Sequence, residues 1–218
     1  MNTRVIVIPA FNEEKTIDAV VESVIDLCSF IIVVDDSSDD NTQLVASRFS
    51  RVVLIRNEQN RGYSKSLEIG LSKAIEIGGK YIMTIDADGQ HPIELVDQIF
   101  NRIESQNLDM VIGVRDELPR ISEYIIASIS KFFWGIGDIT CGMKCYKDTL
   151  ITAAGLPTSF NSTGTFLAFF ALIRGYKFEK VKIKIKQRIG KSRYGAGIIT
   201  EIKLLLSIMR GYAAAIKK

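Results

Sequence analysis

The segment Thr84-Ile85-Asp86-Ala87-Asp88-Gly89-Gln90-His91-Pro92 places two carboxylates one residue apart and an amide two residues further on. These are hard oxygen donors, the kind that Mg²⁺ or Mn²⁺ takes. A cation held there would bridge two phosphates of a nucleoside diphosphate and neutralise the charge that grows as it departs. Asp-x-Asp alone is a weak signal, because surface turns are rich in Asp and Gly. Here it follows an apolar run, and ligands of α/β sheets bind outside the carboxyl ends of strands. Two more acidic segments also follow apolar runs: Pro9-Ala10-Phe11-Asn12-Glu13-Glu14 and Val34-Asp35-Asp36-Ser37-Ser38-Asp39. An acid in such a place can accept hydrogen bonds from a base or ribose. For Asp39 and Asp40 a helix N-cap cluster over Ser38–Asn41 is the better reading. His91, the only histidine, reads as the end of the loop and the start of the next helix, in preference to a general base. No Gly-x-Gly-x-x-Gly follows a strand, which counts against a dinucleotide-binding oxidoreductase.

The elements that must position these residues are legible from periodicity. Arg4–Ile8, Phe30–Val34, Val52–Ile55, Tyr81–Ile85 and Met110–Val114 read as buried strands. Amphipathic helical stretches lie between them at about Glu13–Leu27, Thr42–Phe49, Ser64–Ile77 and Ile93–Ser105. This alternation predicts an α/β domain with a mostly parallel sheet and helices on both faces. Beyond Arg115 the pattern changes. Ile121–Ile136 is apolar and aromatic, Asp138–Tyr146 reads as a short strand, and Thr163–Arg174 as an apolar helix. Val181–Gln187 alternates Val181, Ile183 and Ile185 with Lys182, Lys184 and Lys186; a helix is predicted over Ile198–Tyr212. No linker or repeat interrupts the chain, so 1–218 is expected to be one domain, 1–115 carrying the first group of motifs and 116–218 elaborating it.

Composition bounds the class. With 218 residues and 47% apolar content the chain can bury a sizeable core. Its three cysteines, Cys28, Cys141 and Cys145, are too few for a disulfide framework and have no partners to complete a zinc site, so reduced thiols in a cytoplasmic protein are expected. No stretch reaches the roughly 18 apolar residues of a membrane span, and no signal peptide opens the chain. The net charge of +3 hides an asymmetry: from Arg174 onward there are 13 Lys/Arg against two acids, whereas the preceding residues carry 15 and 23. Such a basic tail suits an anionic partner. Lacking an aromatic-interleaved sheet motif, it argues against nucleic acid.

Six blocks give the chain a family resemblance: Ile8–Glu14, Val33–Asp39, Asn60-Arg61-Gly62, Asp86–Pro92, Asp138–Lys147 and Arg188–Arg193. In this order, over nearly the whole length, they resemble the family 2 glycosyltransferases of GT-A fold. The likeness is strongest to the branch of dolichol-phosphate mannose synthases and polyprenyl-phosphate glycosyltransferases. The resemblance implies that Pro9, Phe11, Glu13, Val34 and Asp36 line a nucleotide base and ribose, and that Asp86 and Ala87 contact the nucleotide-sugar donor. It also implies that Asp88 and Gln90, with Asp86, hold Mg²⁺ or Mn²⁺. Arg115 would meet phosphate charge, Arg188, Ser192 and Arg193 would close over a donor or acceptor phosphate, and Asp138 would carry a site role.

Two departures shape the acceptor expectation. Relatives that glycosylate hydroxyls carry a carboxylate base in the apolar helix, near the position of Phe166. Here Gly164–Arg174 has no acid. A hydroxyl nucleophile needs a base, whereas a phosphate monoester, with a second pKa of about 6, arrives largely ionised. The closing block has Arg193 where Lys is usual, and one residue fewer between Arg188 and Gly190. The expectation is therefore inverting transfer of a hexose from a GDP- or UDP-sugar to a polyprenyl phosphate by an enzyme peripheral on the cytoplasmic membrane face. Transfer to a hydroxyl of a surface polysaccharide, and a non-catalytic nucleotide-sugar-binding subunit, stay open as alternatives. So do the donor and the oligomeric state.

Overall fold

Residue-by-residue alternation along the strands feeds two separate cores. Val5, Val7, Ile32, Val34, Ile82 and Ile112 face one side, and Ile6, Ile8, Ile31, Val33, Met83 and Val111 the other. Strands buried on both faces need no polar positions, which is why they read as unbroken apolar runs. The computed structural model describes residues 3–156, 162–186 and 197–218. Its strands are β1 (Arg4–Ala10), β2 (Phe30–Asp35), β3 (Val52–Arg56), β4 (Tyr81–Thr84), β5 (Met110–Arg115), β6 (Lys144–Lys147) and β7 (Phe178–Ile183). They form one seven-stranded sheet of order β3-β2-β1-β4-β6-β5-β7. All neighbours pair in parallel except β6, which is antiparallel to both β4 and β5. Strands from both halves of the chain thus share the sheet.

Helices α1 (Ile17–Val24), α2 (Thr42–Ala46) and α4 (Val96–Ser105) cover one face. The other is covered by α3 (Tyr63–Glu76), α5 (Ile121–Trp134), α6 (Asp148–Ala154), α7 (Thr163–Ile173) and α8 (Ile198–Lys217). Helix α3 approaches the sheet so closely that a Cβ on Gly70 would lie 2.3 Å from a Val7 methyl. Helix α7 is buried almost all round, as its uniformly apolar sequence requires.

The expected strand over Asp138–Tyr146 contracts to β6, because residues 138–143 form a loop that sends Ile139 and Met143 into the two cores. Helix α6 was not legible as an element. Strand β7 begins at Phe178, before the alternation becomes strict, and ends at Ile183; Ile185 lies beyond it and is exposed. Helix α1 is confined to Ile17–Val24, because residues 11–16 are used as a loop.

Candidate active site

The chain leaves β4 through Asp86–Pro92 at the carboxyl edge of the sheet. Tyr63, the first residue of α3, donates its hydroxyl to Asp86 Oδ1 at 2.9 Å. The Asp86 backbone N–H donates to His91 Nδ1 at 3.0 Å, and Nε2 of the same ring lies 3.6 Å from Asp86 Oδ2. A Cβ on Gly142 would stand 2.6 Å from Asp86 Oδ2, so only glycine leaves room for this carboxylate. Asp88 Oδ1 accepts the Gln90 N–H at 3.1 Å. Gln90 Nε2 donates to the Lys186 carbonyl, also at 3.1 Å, tying the loop to the segment after β7 and leaving the amide oxygen as its ligating atom.

These residues line a cleft of about 380 Å³ that also receives Arg115, Arg120, Glu123 and Lys144. Arg115, the last residue of β5, donates from Nε to Asp138 Oδ2 at 2.6 Å. Its Nη2 reaches Asp138 Oδ1 at 3.1 Å, Thr140 Oγ1 at 2.9 Å and Glu123 Oε2 at 3.3 Å. One guanidinium therefore serves two carboxylates. Burial disfavours the charge on Asp138, but the hydrogen bonds from Arg115 and Thr140 overcome it and hold the group below the usual carboxylate range. For Glu123 burial wins over Arg115, and the negative Asp138 adds to it, so its pKa is raised. Burial lowers the pKa of Lys144.

A second cleft of about 390 Å³ is lined by Phe11, Asp36, Asn60 and Gly62, and by Lys203 and Ser207 of α8. It adjoins the first: Tyr63, Ser64 and Leu204 line both. Asp36 accepts the backbone N–H groups of Arg61 and Gly62 at 2.9 and 2.8 Å and the Asn57 amide at 2.7 Å, so it shapes the turn that begins α3. Two non-glycine residues with left-handed backbone, Asn12 (φ 55°) and Ser37 (φ 65°), sit where β1 and β2 end. The Asn12 N–H donates to Ser38 Oγ at 2.9 Å, and Asn12 Oδ1 accepts the Asp39 N–H at 2.9 Å. Strained backbone that is held this firmly concentrates at functional sites.

The structure thus gathers Asp86, Asp88, Gln90 and Arg115 in one cleft and Phe11 and Asp36 in the other, with Asp138 behind Arg115. Of the other expected residues, those that the structure describes (Pro9, Glu13, Val34 and Ala87) are not among the residues lining either cleft. Val34 packs on Gly70 in the core, opposite Pro9 on β1. Ala87 is wholly buried toward the opposite face. Glu13 is 5% exposed and accepts from its neighbour Thr16. Asp40 accepts the Thr42 N–H at the start of α2, one residue ahead of Asn41, which holds the N-cap position without a side-chain cap bond. Arg188, Ser192 and Arg193 lie outside the described residues. Phe166 is fully buried, so the α7 positions that reach the cleft are Gly164 and Thr165. Sequence reasoning missed Tyr63, Glu123, Gly142 and Lys144. Gly142 and Lys144 stood inside a recognised block, Tyr63 directly after one, and Glu123 was the lone acid of an apolar helix.

The mostly parallel sheet flanked by helices, with the acid-rich loop at its carboxyl edge, is a Rossmann-like GT-A fold. Residues 5–175 match the family described as glycosyl transferase family 2, and the chain belongs to it. It is 33% identical over 132 residues to UDP-N-acetylglucosamine–dolichyl-phosphate N-acetylglucosaminyltransferase of Methanococcus voltae, covering 53% of each chain. It is 26% identical over 211 residues to undecaprenyl-phosphate 4-deoxy-4-formamido-L-arabinose transferase of Yersinia pestis, covering 87% of this chain and 62% of that one. The chain thus spans less than two thirds of the length of these two relatives. In fold it is similar to glucosyl-3-phosphoglycerate synthase of Mycobacterium tuberculosis, solved with Mn²⁺, UDP and phosphoglyceric acid. The TM-score is 0.74 at 18% identity, covering 99% of this chain and 77% of that one.

Proposed function

We propose that the protein transfers a hexose, with inversion, from a GDP- or UDP-sugar to a polyprenyl phosphate at the cytoplasmic face of a membrane. The observation that carries this reading is the charge arrangement of the cleft. Three carboxylates (Asp86, Asp88, Glu123) and three cations (Arg115, Arg120, Lys144) line it, and Asp138 pairs with Arg115 from behind. The lining charges balance and Asp138 behind Arg115 tips the sum negative, so a diphosphate entering the cleft needs a cation to accompany it. Asp86, Asp88 and Gln90 would hold Mg²⁺ or Mn²⁺. Among the described residues no group of three or more His, Cys, Asp or Glu converges on a metal position. Two carboxylates with phosphate oxygens and water completing the shell is an arrangement that suits Mg²⁺. Bound there, the ion would supply charge neutralisation to the departing diphosphate.

The protein's own residues would do the rest. Tyr63, His91 and Gly142 fix the Asp86 carboxylate, and Phe11 and Asp36 offer an apolar face and an acceptor at the nucleoside end. Arg115 and Arg120, with Arg188, Ser192 and Arg193, would provide charge for phosphate oxygens. The two relatives acting on dolichyl and undecaprenyl phosphates support the acceptor class.

Membrane contact is part of the proposal. Ile121 (73%), Phe132 (84%) and Phe133 (66%) of α5 are exposed, as are Ile198 (79%) and Ile199 (71%) of α8. Both helices also line the acceptor-side cleft on their inner faces. No helix among the described residues is long and apolar enough to cross a membrane, so burial in the interfacial layer, aided by the basic tail, is the proposed mode.

Glu123 supports a second reading, transfer to a sugar hydroxyl, because a buried carboxylate of raised pKa in the cleft is suited to act as a base. Radiolabelled GDP- and UDP-sugars, screened against polyprenyl phosphate and against oligosaccharides with Mg²⁺ or Mn²⁺, test both. Label entering only the lipid phosphate, with Glu123→Gln retaining transfer, is expected. Label entering only hydroxyls, and lost in Glu123→Gln, overturns the lipid-phosphate reading.

A further inference from the structure

Lys144 opens β6, paired with Thr84 at the end of β4 and with Ile112 of β5. Because β6 runs antiparallel, its first residue stands at the edge where the parallel strands end. The side chain lines the metal-side cleft yet is only 3% exposed. An ammonium has three N–H groups and no acceptor. One of them goes to the Cys141 carbonyl. Among the described residues no carboxylate comes within ion-pairing distance of Nζ, whereas Arg115 is held by both Asp138 and Glu123.

Burying a cation with a single neutral acceptor is costly, and the side chain borders the cleft together with Gly164 and Thr165. Nζ lies 3.8 Å from where a Cβ of Gly164 would stand, and the Tyr146 hydroxyl is equally near that point. Gly164 belongs to the first turn of α7, an eleven-residue helix whose N-terminal N–H groups add positive potential on that side. The cleft therefore has in its wall a buried cation with one hydrogen-bond acceptor among the described residues, close to a helix N-terminus and to Leu67.

We propose that Lys144 binds phosphate oxygens of a substrate, completing its hydrogen bonds only when the anion is seated in the cleft that Lys144, Gly164 and Thr165 line. This inference rests on the phosphate-dependent reading above and names the residue that meets the anion. Two sources have this chemistry: the donor's diphosphate and the phosphate monoester of a lipid acceptor.

Binding is measured by calorimetry on the full chain without turnover, so the result is independent of whether transfer to lipid phosphate is observed. One arm titrates UDP and GDP with Mn²⁺; the other titrates geranyl phosphate. Wild type, Lys144→Met and Lys144→Arg are compared. Losing hydrogen bonds to a charged group should weaken at least one arm about tenfold or more in Lys144→Met, with partial rescue in Lys144→Arg. Loss in the first arm assigns the donor diphosphate, and loss in the second the acceptor phosphate. Lys144→Met binding both like wild type, or moving only the thermal midpoint, overturns the proposal. So does a wild type that binds neither probe. A wild type that fails to glycosylate polyprenyl phosphate while Lys144-dependent binding persists overturns only the acceptor class.

Discussion

Asp86 is held by three neighbours that have no other evident purpose in common: a tyrosine at a helix start, a histidine five residues on, and a glycine from a distant loop. Gly142→Ala is expected to displace its carboxylate, since the new methyl would stand 2.6 to 2.7 Å from both oxygens. The fold should survive, because Gly142 is not among the glycines of left-handed conformation. Transfer should fall at least tenfold while circular dichroism and the thermal midpoint of the free protein hold. An unchanged kcat/KM would show that Asp86 is free to move without consequence. Asp88→Asn should abolish metal-dependent transfer, because an amide binds a hard cation more weakly than a carboxylate. Full turnover by this variant would remove Asp88 from the metal site. At this scale the sequence showed the acids but not their supports. Asp-x-Asp-x-Gln is a local pattern, whereas Tyr63, Gly142 and Lys144 reach it across about 20 to 60 residues of chain, a distance that no spacing rule encodes.

Elements meet the site through the Arg115 cluster, which joins the end of β5, the first turn of α5 and the loop before β6. Its two carboxylates give opposite pH dependences. Asp138 has a folded pKa below the usual value, so its stabilising charge is present above about pH 3.9 and lost as pH falls through the folded value. Glu123 has a folded pKa above the usual value. Its contribution is full below about pH 4.3 and lost as pH rises through the folded value. Thermal midpoints of Glu123→Gln should therefore match wild type near pH 4 and gain on it toward pH 7. Those of Asp138→Asn should lag at pH 7 and converge on wild type in acid. A common pH profile for both variants would contradict this division. The parallel half of the fold was readable because doubly covered strands carry long β-branched runs. Helix α6 and the true extent of β6 were not, because short elements take their conformation from tertiary pairing and not from local pattern.

On the scale of the whole molecule, the two helices that carry exposed apolar residues, α5 and α8, also line the first cleft. Helix α8 walls both clefts with Leu204 and exposes Ile202, Leu206 and Met209 elsewhere. Glu201 of the same helix accepts the Ser122 N–H at 2.9 Å, joining α8 to the start of α5. Sedimentation with anionic vesicles at low salt is expected, with weaker binding in high salt because the basic tail contributes through screened charge. Replacing Phe132 and Phe133 together by serine should lessen binding at any salt, since it removes apolar contact area. No sedimentation of wild type at low salt would count against membrane attachment by this chain alone.

The antiparallel placement of β6 also has a consequence in time. Strands β1 to β4 come from residues 4–84 and pair among themselves, while β5 pairs with β7. The two groups are stitched only by four residues, Lys144–Lys147, which must find β4 some 60 positions back along the chain. On a ribosome β1 to β4 can pair as soon as they emerge, whereas the seam must wait for the later chain, since non-local pairing is slow. The last stitch carries Lys144 and pulls Gly142 against Asp86. A nascent or partly unravelled molecule can therefore pair β1 to β4 before it has either cleft, since both also need residues of α8, the last helix of the chain.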